Sequence, residues 1–211
     1  MTSETLGQNL GHRILFFGDS ITQSGEEPGG YVALVRERLS SETSPKEVIG
    51  AGISGNKVPD LQRRLQSDVL IRKPTLVVIY IGINDVWHSE SGMGTPKSTF
   101  ESGLHDIIGQ IQTIGSHAVL CTPSVIGEKH DGSNALDELL DEFCEISRAV
   151  ANQSGCHLLD LRLRFLDYLR SHNQANHAMG VLTTDGVHLN TAGNRFVADQ
   201  MLDGIDCLLT D

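Results

Sequence analysis

Five short, uninterrupted apolar runs, each closed by a polar or glycine-rich break, constrain this chain more than any other feature. They are Arg13–Gly18 (RILFFG), Glu47–Ala51 (EVIGA), Leu76–Gly82 (LVVIYIG), Ala118–Thr122 (AVLCT) and His157–Leu161 (HLLDL). Strict alternation of apolar and polar residues marks a strand with one wet face. Continuous runs of this length suit strands covered on both faces, as in a parallel sheet. Between them, apolar residues recur at helical spacing. Tyr31, Leu34, Val35 and Leu39 share one face. Phe100, Leu104, Ile107, Ile108, Ile111 and Ile114 make a longer stripe, opened by Ser98-x-x-Glu101, which reads as a capping box. Leu136, Leu139, Leu140, Phe143 and Ile146 form a third stripe after Asn134, read as its N-cap. A fourth runs from Ala192 to Leu209 and starts at Asn190 or Thr191. Strand and helix in alternation predict an open, doubly wound α/β sandwich on about five parallel strands.

At 211 residues the chain has room for one full domain. No repeat, linker or low-complexity tract divides it, so residues 1–211 are expected to form a single domain, with 1–11 as a flexible N-terminus. Lys+Arg 16 against Asp+Glu 27 leave a net charge of −11, which repels phosphate backbones and anionic lipid. Nucleic acid and membrane surfaces are therefore not expected as partners. The longest apolar stretch is far shorter than the roughly 20 residues that span a bilayer, and the polar N-terminus shows no signal peptide. The expectation is a soluble, cytoplasmic protein. Cys121, Cys144, Cys156 and Cys207 stand too far apart for a disulfide framework and read as small buried hydrophobes.

In such a sheet, ligands bind beyond the carboxyl ends of the strands. Gly18-Asp19-Ser20-Ile21-Thr22 follows the first run, Gly52-Ile53-Ser54-Gly55-Asn56 the second and Gly82-Ile83-Asn84-Asp85 the third; Asp185-Gly186-Val187-His188-Leu189-Asn190 precedes the last helix. Four polar segments thus converge on one rim. The chemistry they suit is acyl transfer. A serine hydroxyl is a weak nucleophile until a base takes its proton, and that base needs a third group to orient it. Asp185 and His188, three residues apart, can both be brought to Ser20 by one turn. A developing oxyanion needs preorganised donors, and the Ser20 and Gly55 amides and the Asn84 side-chain amide are available.

Each of these has a plainer reading. Ser20 could simply cap the helix that follows it, Asn84-Asp85 could be a plain turn, and Asp185-x-x-His188 a helix start with a surface histidine. Ser54 competes as nucleophile, but Gly52-x-Ser54-Gly55 lacks the spacing of a nucleophile elbow. Asp19 is expected to hold the turn by hydrogen bonding, and Asp85 to be structural. His172-x4-His177 superficially suggests a metal, but no carboxylate or cysteine stands at ligand spacing, so no metal and no cofactor are expected. Asp137, Glu138, Asp141, Glu142 and Glu145 read as the solvated face of the third helix.

GDSIT, GISGN, GIND and DGVHLN, in that order, resemble the four blocks of the SGNH (GDSL-type) hydrolase family; the GDSITQ opening, the Gly29-Gly30-Tyr31 stretch entering the first helix and the Cys121-Thr122-Pro123 strand end resemble its small isoamyl-acetate-type and lysophospholipase-L1-like esterases. Ile21 stands where the family's shorthand has leucine. The resemblance implies a flavodoxin-like three-layer α/β/α sandwich and a serine esterase working through an acyl-enzyme. It implies Ser20 as nucleophile, His188 as base, Asp185 as its orienting partner, and Ser20, Gly55 and Asn84 as oxyanion donors. A small-molecule ester with a short acyl chain is the expected substrate, because no large apolar lid segment is visible. The same machinery acting on acetylated carbohydrate is the alternative. A flavodoxin-like, non-hydrolytic binding module is the rival from another class. The loops Trp87–Lys97 and Ser171–Val187 are expected to shape the pockets.

Overall fold

The computed structural model describes residues 13–40 and 46–209. The expected flexible N-terminus, residues 1–11, lies outside them, and so does the Cys207 side chain. The apolar runs become strands β1 (Arg13–Gly18), β2 (Glu47–Gly52), β3 (Leu76–Tyr80), β4 (His117–Cys121) and β5 (His157–Leu159). They form one sheet in the order β2-β1-β3-β4-β5, parallel at every pairing. Eight α-helices connect and follow them among the described residues: α1 (Ser20–Gly25), α2 (Tyr31–Ser40), α3 (Val58–Asp68), α4 (Ile83–Trp87), α5 (Lys97–Thr113), α6 (Asp137–Ser154), α7 (Leu161–His172) and α8 (Thr191–Leu209).

Strand order dictates the layers. From β1 the chain steps one way to β2, then reverses to β3, β4 and β5. Parallel crossovers are right-handed, so reversing direction moves the connecting helix to the opposite face of the sheet. Accordingly α2 packs beside α8, while α3, α5 and α6 pack side by side. The result is the expected three-layer sandwich. Both faces of the central strands are covered, and Ile14, Leu15, Phe16, Phe17, Leu76, Val77 and Ile79 are fully buried. The reversal falls at β1–β3, where this architecture leaves a crevice for a ligand. No helix among the described residues is long and apolar enough to cross a membrane.

Several local expectations give way. The fifth run stops as a strand at Leu159, because Asp160 caps a helix instead: its carboxylate accepts the Leu163 N–H at 3.1 Å. Leu161, Phe165 and Leu169 then bury one face of α7, a helix the apolar spacing did not announce. Helix α3 is a second such element, burying Val58, Leu61 and Leu65. The Ser98 capping box does not form; α5 begins at Lys97 after Pro96, which puts Ser98 inside the first turn, and Ile114 lies past its last turn, exposed. Asn134 is not the cap of α6, which starts at Asp137; its side chain braces the preceding loop, donating to the Lys129 carbonyl at 2.7 Å and to Asp137 at 2.8 Å. Asp137 is not solvated either. It is buried against Arg162, whose guanidinium reaches it at 2.9 Å and Asp141 at 2.7 Å. Cys121 and Cys144 are buried as expected, whereas Cys156 is partly exposed.

Candidate active site

Asp19 leaves β1 with its side chain accepting the Ile21 N–H at 3.0 Å, which caps α1 and leaves Ser20 as the helix's first residue at the sheet rim. Gly18 is required here: a Cβ would run into the Tyr80 carbonyl of β3 and the Thr22 side chain. Ser20 Oγ lies 3.0 Å from His188 Nε2, and His188 Nδ1 lies 2.7 Å from Asp185 Oδ2. A carboxylate can only accept, so Nδ1 carries the ring proton. In the neutral imidazole Nε2 is then the acceptor facing the serine hydroxyl. The other Asp185 oxygen accepts the backbone N–H groups of Val187 and His188 at 3.0 and 2.8 Å. Partial burial works against the Asp185 charge, but these N–H donors and the His188 ring outweigh it and hold the carboxyl below its ordinary range.

Three N–H donors approach the same rim. Ser20 N–H stands in the first turn of α1, where no intrahelical carbonyl is available to it. Gly55 adopts a left-handed φ of 76°, and its N–H has no partner among the described residues. Asn84, in the first turn of α4, is buried and donates its amide to the Asn56 carbonyl at 3.1 Å and towards Asp19 Oδ2 at 3.4 Å. Asn84 is therefore tied at once to the residue after Gly55 and to the residue before Ser20.

Behind the rim, burial raises the Asp19 carboxyl to about 7, against the Ile21 N–H bond and with the nearby Asp85 adding to the rise. Asp85 itself is raised to about 6, chiefly by burial, although the Thr95 side chain and the Val58 N–H work against the rise. Asp85 thus pins the start of α3 to α4, the structural role expected of it, and Asp19 holds the turn.

One contributor was not visible in the sequence, and a second was named there only as the start of a pocket-shaping loop. Arg64 on α3 sends its guanidinium to the Gly18 carbonyl at 2.6 Å, the Ala51 carbonyl at 2.9 Å and Asn56 Oδ1 at 2.7 Å, lying 4.5 Å over the Phe17 ring. It stitches the ends of β1 and β2 to the loop carrying Gly55. Only the helical placement of Arg64 could have revealed this, and α3 itself was not anticipated. Trp87 sets its ring edge-on to His188, with centroids 6.2 Å apart. Beside this pair opens a cleft of about 270 Å³ lined by Trp87, Glu90, Ile126, Lys129, Leu136 and Asp185, among others. A larger groove of about 490 Å³ between α2 and α8 has no serine or histidine in its lining.

The rival residues have other partners. The Ser54 N–H donates to Gln23 Oε1 at 2.7 Å, and its hydroxyl has no partner among the described residues. His172 stacks on Tyr168 and bonds the Tyr168 carbonyl. No group of three or more His, Cys, Asp or Glu side chains among the described residues could hold a metal ion.

A carboxylate, an imidazole and a hydroxyl in line at the carboxyl rim of a doubly wound sheet define the geometry of a serine-type hydrolase. The GDSL-like Lipase/Acylhydrolase family profile matches residues 16–196, and the chain belongs to that family. An acetylxylan esterase of Geobacillus stearothermophilus is 30% identical, over 91% of this chain and 93% of its own. The isoamyl acetate-hydrolyzing esterase 1 homolog of Rattus norvegicus is 25% identical, over 88% of this chain and 78% of its own. Among solved structures, the acetyl xylan esterase AlAXEase superposes with a TM-score of 0.89 at 46% identity, covering 90% of this chain and 98% of that one. The chain is a serine-type carboxylic ester hydrolase.

Proposed function

We propose that Ser20 is the nucleophile, His188 its base and Asp185 the group that orients the base, within one hydrolase domain. The observation that carries this is the unbroken Asp185–His188–Ser20 hydrogen-bond line at 2.7 and 3.0 Å. Ser20 Oγ attacks the ester carbonyl carbon while Nε2 takes the hydroxyl proton. The carbonyl π pair moves onto oxygen, where the Ser20 and Gly55 N–H groups and the Asn84 amide receive it. Of the two Asn84 amide protons, the one facing Asp19 at 3.4 Å is weakly engaged, and it is the one available to the oxyanion. The imidazolium then gives its proton to the departing alcohol, leaving the acyl group on Ser20. Water, deprotonated by His188, repeats the sequence and frees the acid.

The substrate class we infer is an acetyl ester of a carbohydrate hydroxyl, such as acetylated xylan. The cleft beside His188 supports it. An indole with Glu90, Lys129, Ser133 and Asn134 around it in the lining combines an aromatic surface with hydrogen-bonding groups, which suits a sugar better than an alkyl chain. The acetylxylan esterases similar to this chain point the same way. Ile126, Leu136 and Val187 line the same cleft and favour a second reading, acetate esters of short apolar alcohols. Hydrolysis of acetylated xylooligosaccharides, isoamyl acetate and p-nitrophenyl esters of graded acyl length separates them. Highest kcat/KM on the sugar acetate supports the first reading; highest kcat/KM on isoamyl acetate overturns it.

A further inference from the structure

We infer that Glu128 is the positioning residue for the Asp185–His188 pair, acting through the loop that carries them. This rests on the catalytic reading of that pair. The pair itself is poorly supported by packing: the Asp185 and His188 side chains are 47% and 36% exposed. Something beneath must hold them in line with Ser20. Glu128, on the loop between β4 and α6, is fully buried, and its carboxylate accepts three consecutive backbone N–H groups. Val181 donates to Oε2 at 2.7 Å, and Leu182 and Thr183 donate to Oε1 at 2.6 Å each. No Lys, Arg or His forms an ion pair with Glu128 among the described residues, and the three backbone N–H groups are the donors that reach its carboxyl oxygens.

From that base the loop closes on itself. Thr183 pairs with Leu189, Asn190 N–H reaches the Leu182 carbonyl at 2.9 Å, and Thr184 N–H the His188 carbonyl at 2.8 Å. Thr183 Oγ1 accepts the Gly186 N–H at 3.1 Å, and the residue before Glu128, Gly127, donates its N–H to the Gly186 carbonyl at 2.8 Å. Residues 127 and 128 therefore grip the loop at its foot and at its tip, and the tip is Asp185-Gly186-Val187-His188. Two-point attachment of this kind fixes orientation where exposed side chains cannot fix their own.

Glu128→Gln tests the grip with almost no change of volume. The amide keeps one oxygen for Leu182 and Thr183 but turns an N–H against the Val181 N–H, which loosens the foot of the loop. The expected result is a folded protein whose kcat falls on the order of 10–100-fold while KM holds within about twofold, the pattern of a misplaced catalytic group. Trp87 supplies a second readout. It is the only tryptophan in the chain and abuts His188, so its emission reports the protonation of that ring through quenching by imidazolium. Glu128→Gln should shrink that pH-dependent change, whereas a merely structural role would lower the melting temperature and leave it intact. A folded Glu128→Gln with wild-type kcat, or with only KM raised, overturns the inference. If Glu128→Gln does not fold, Thr183→Val removes the Gly186 acceptor at near-constant shape, and wild-type kcat in that variant overturns it equally. His188→Ala alongside separates the two levels. Activity surviving there sinks the catalytic reading, while activity lost there and kept in Glu128→Gln sinks this one alone.

Discussion

Asn84→Ala puts the largest demand on the proposed oxyanion site, because it shifts two measurable quantities by different physics. In the free enzyme the Asn84 amide is buried and donates to the Asn56 carbonyl at 3.1 Å. Truncation leaves that carbonyl unpartnered, a cost of about 1–3 kcal/mol in stability. For a chain of this size each kcal/mol lowers Tm by roughly 2–4 °C, so a fall of several degrees is expected. The second effect belongs to the transition state. The amide proton facing Asp19 meets little charge on a neutral ester carbonyl and much more on the tetrahedral oxyanion, so its loss raises the barrier without weakening substrate binding comparably. One such donor typically contributes on the order of 10²–10³ in kcat, or roughly 2.7–4 kcal/mol. Steady-state kinetics and thermal unfolding on one preparation, assayed well below its Tm, read both. A variant with the lowered Tm but most of its kcat would make Asn84 a turn residue, leaving the Ser20 and Gly55 amides to hold the oxyanion alone.

Ser20→Ala should abolish covalent labelling by an organophosphonate with Tm essentially unchanged; labelling of the wild type at Ser54 or elsewhere contradicts the nucleophile assignment. Asp85, raised by burial to about 6, favours its neutral form in the fold, so its contribution to stability is present below about pH 4 and lost as pH rises through 6. Relative to Asp85→Asn, the wild type should lose roughly 2 kcal/mol between pH 4 and pH 7 in urea unfolding, and a difference that stays constant across that range refutes it. Asp185 has the opposite sign: held below its ordinary range, it supports stability above that range and loses the support as pH falls through its lowered value. Arg162→Met takes the counter-ion from the Asp137 carboxylate, whose side chain is 7% exposed against 3% for Arg162, and should cost about 3–5 kcal/mol in the same unfolding assay. A loss below about 1 kcal/mol would show that the Asn134 N–H donors or a proton suffice for Asp137.

The sheet was legible because its strands are covered on both faces, so each one writes its burial as an unbroken apolar run. The Asp185–His188–Ser20 line was legible for a related reason. Ser20, Gly55 and Asn84 each follow a strand within a few residues, and Asp185 and His188 share one turn, so short-range spacing already records where each must stand. Where the local reading went astray, the deciding partner was distant in the chain. Asp137 looked like one more charge on a wet helix until Arg162, 25 residues on, drew it inside. Helix α7 was concealed by Asp160, which ends a strand and starts a helix in one step, held there by Arg148 at 2.7 Å. Arg64 and Glu128 belong to no motif, and their partners lie 46 and up to 55 residues away. The amino-acid sequence by itself determined the layers, the rim and the candidate reacting groups, because these follow from apolar periodicity and from chemistry at strand ends. Only the tertiary structure decided what holds those groups in line, because an arginine or a carboxylate becomes a brace when folding buries it against particular backbone atoms, and nothing adjacent to it in the chain encodes that meeting.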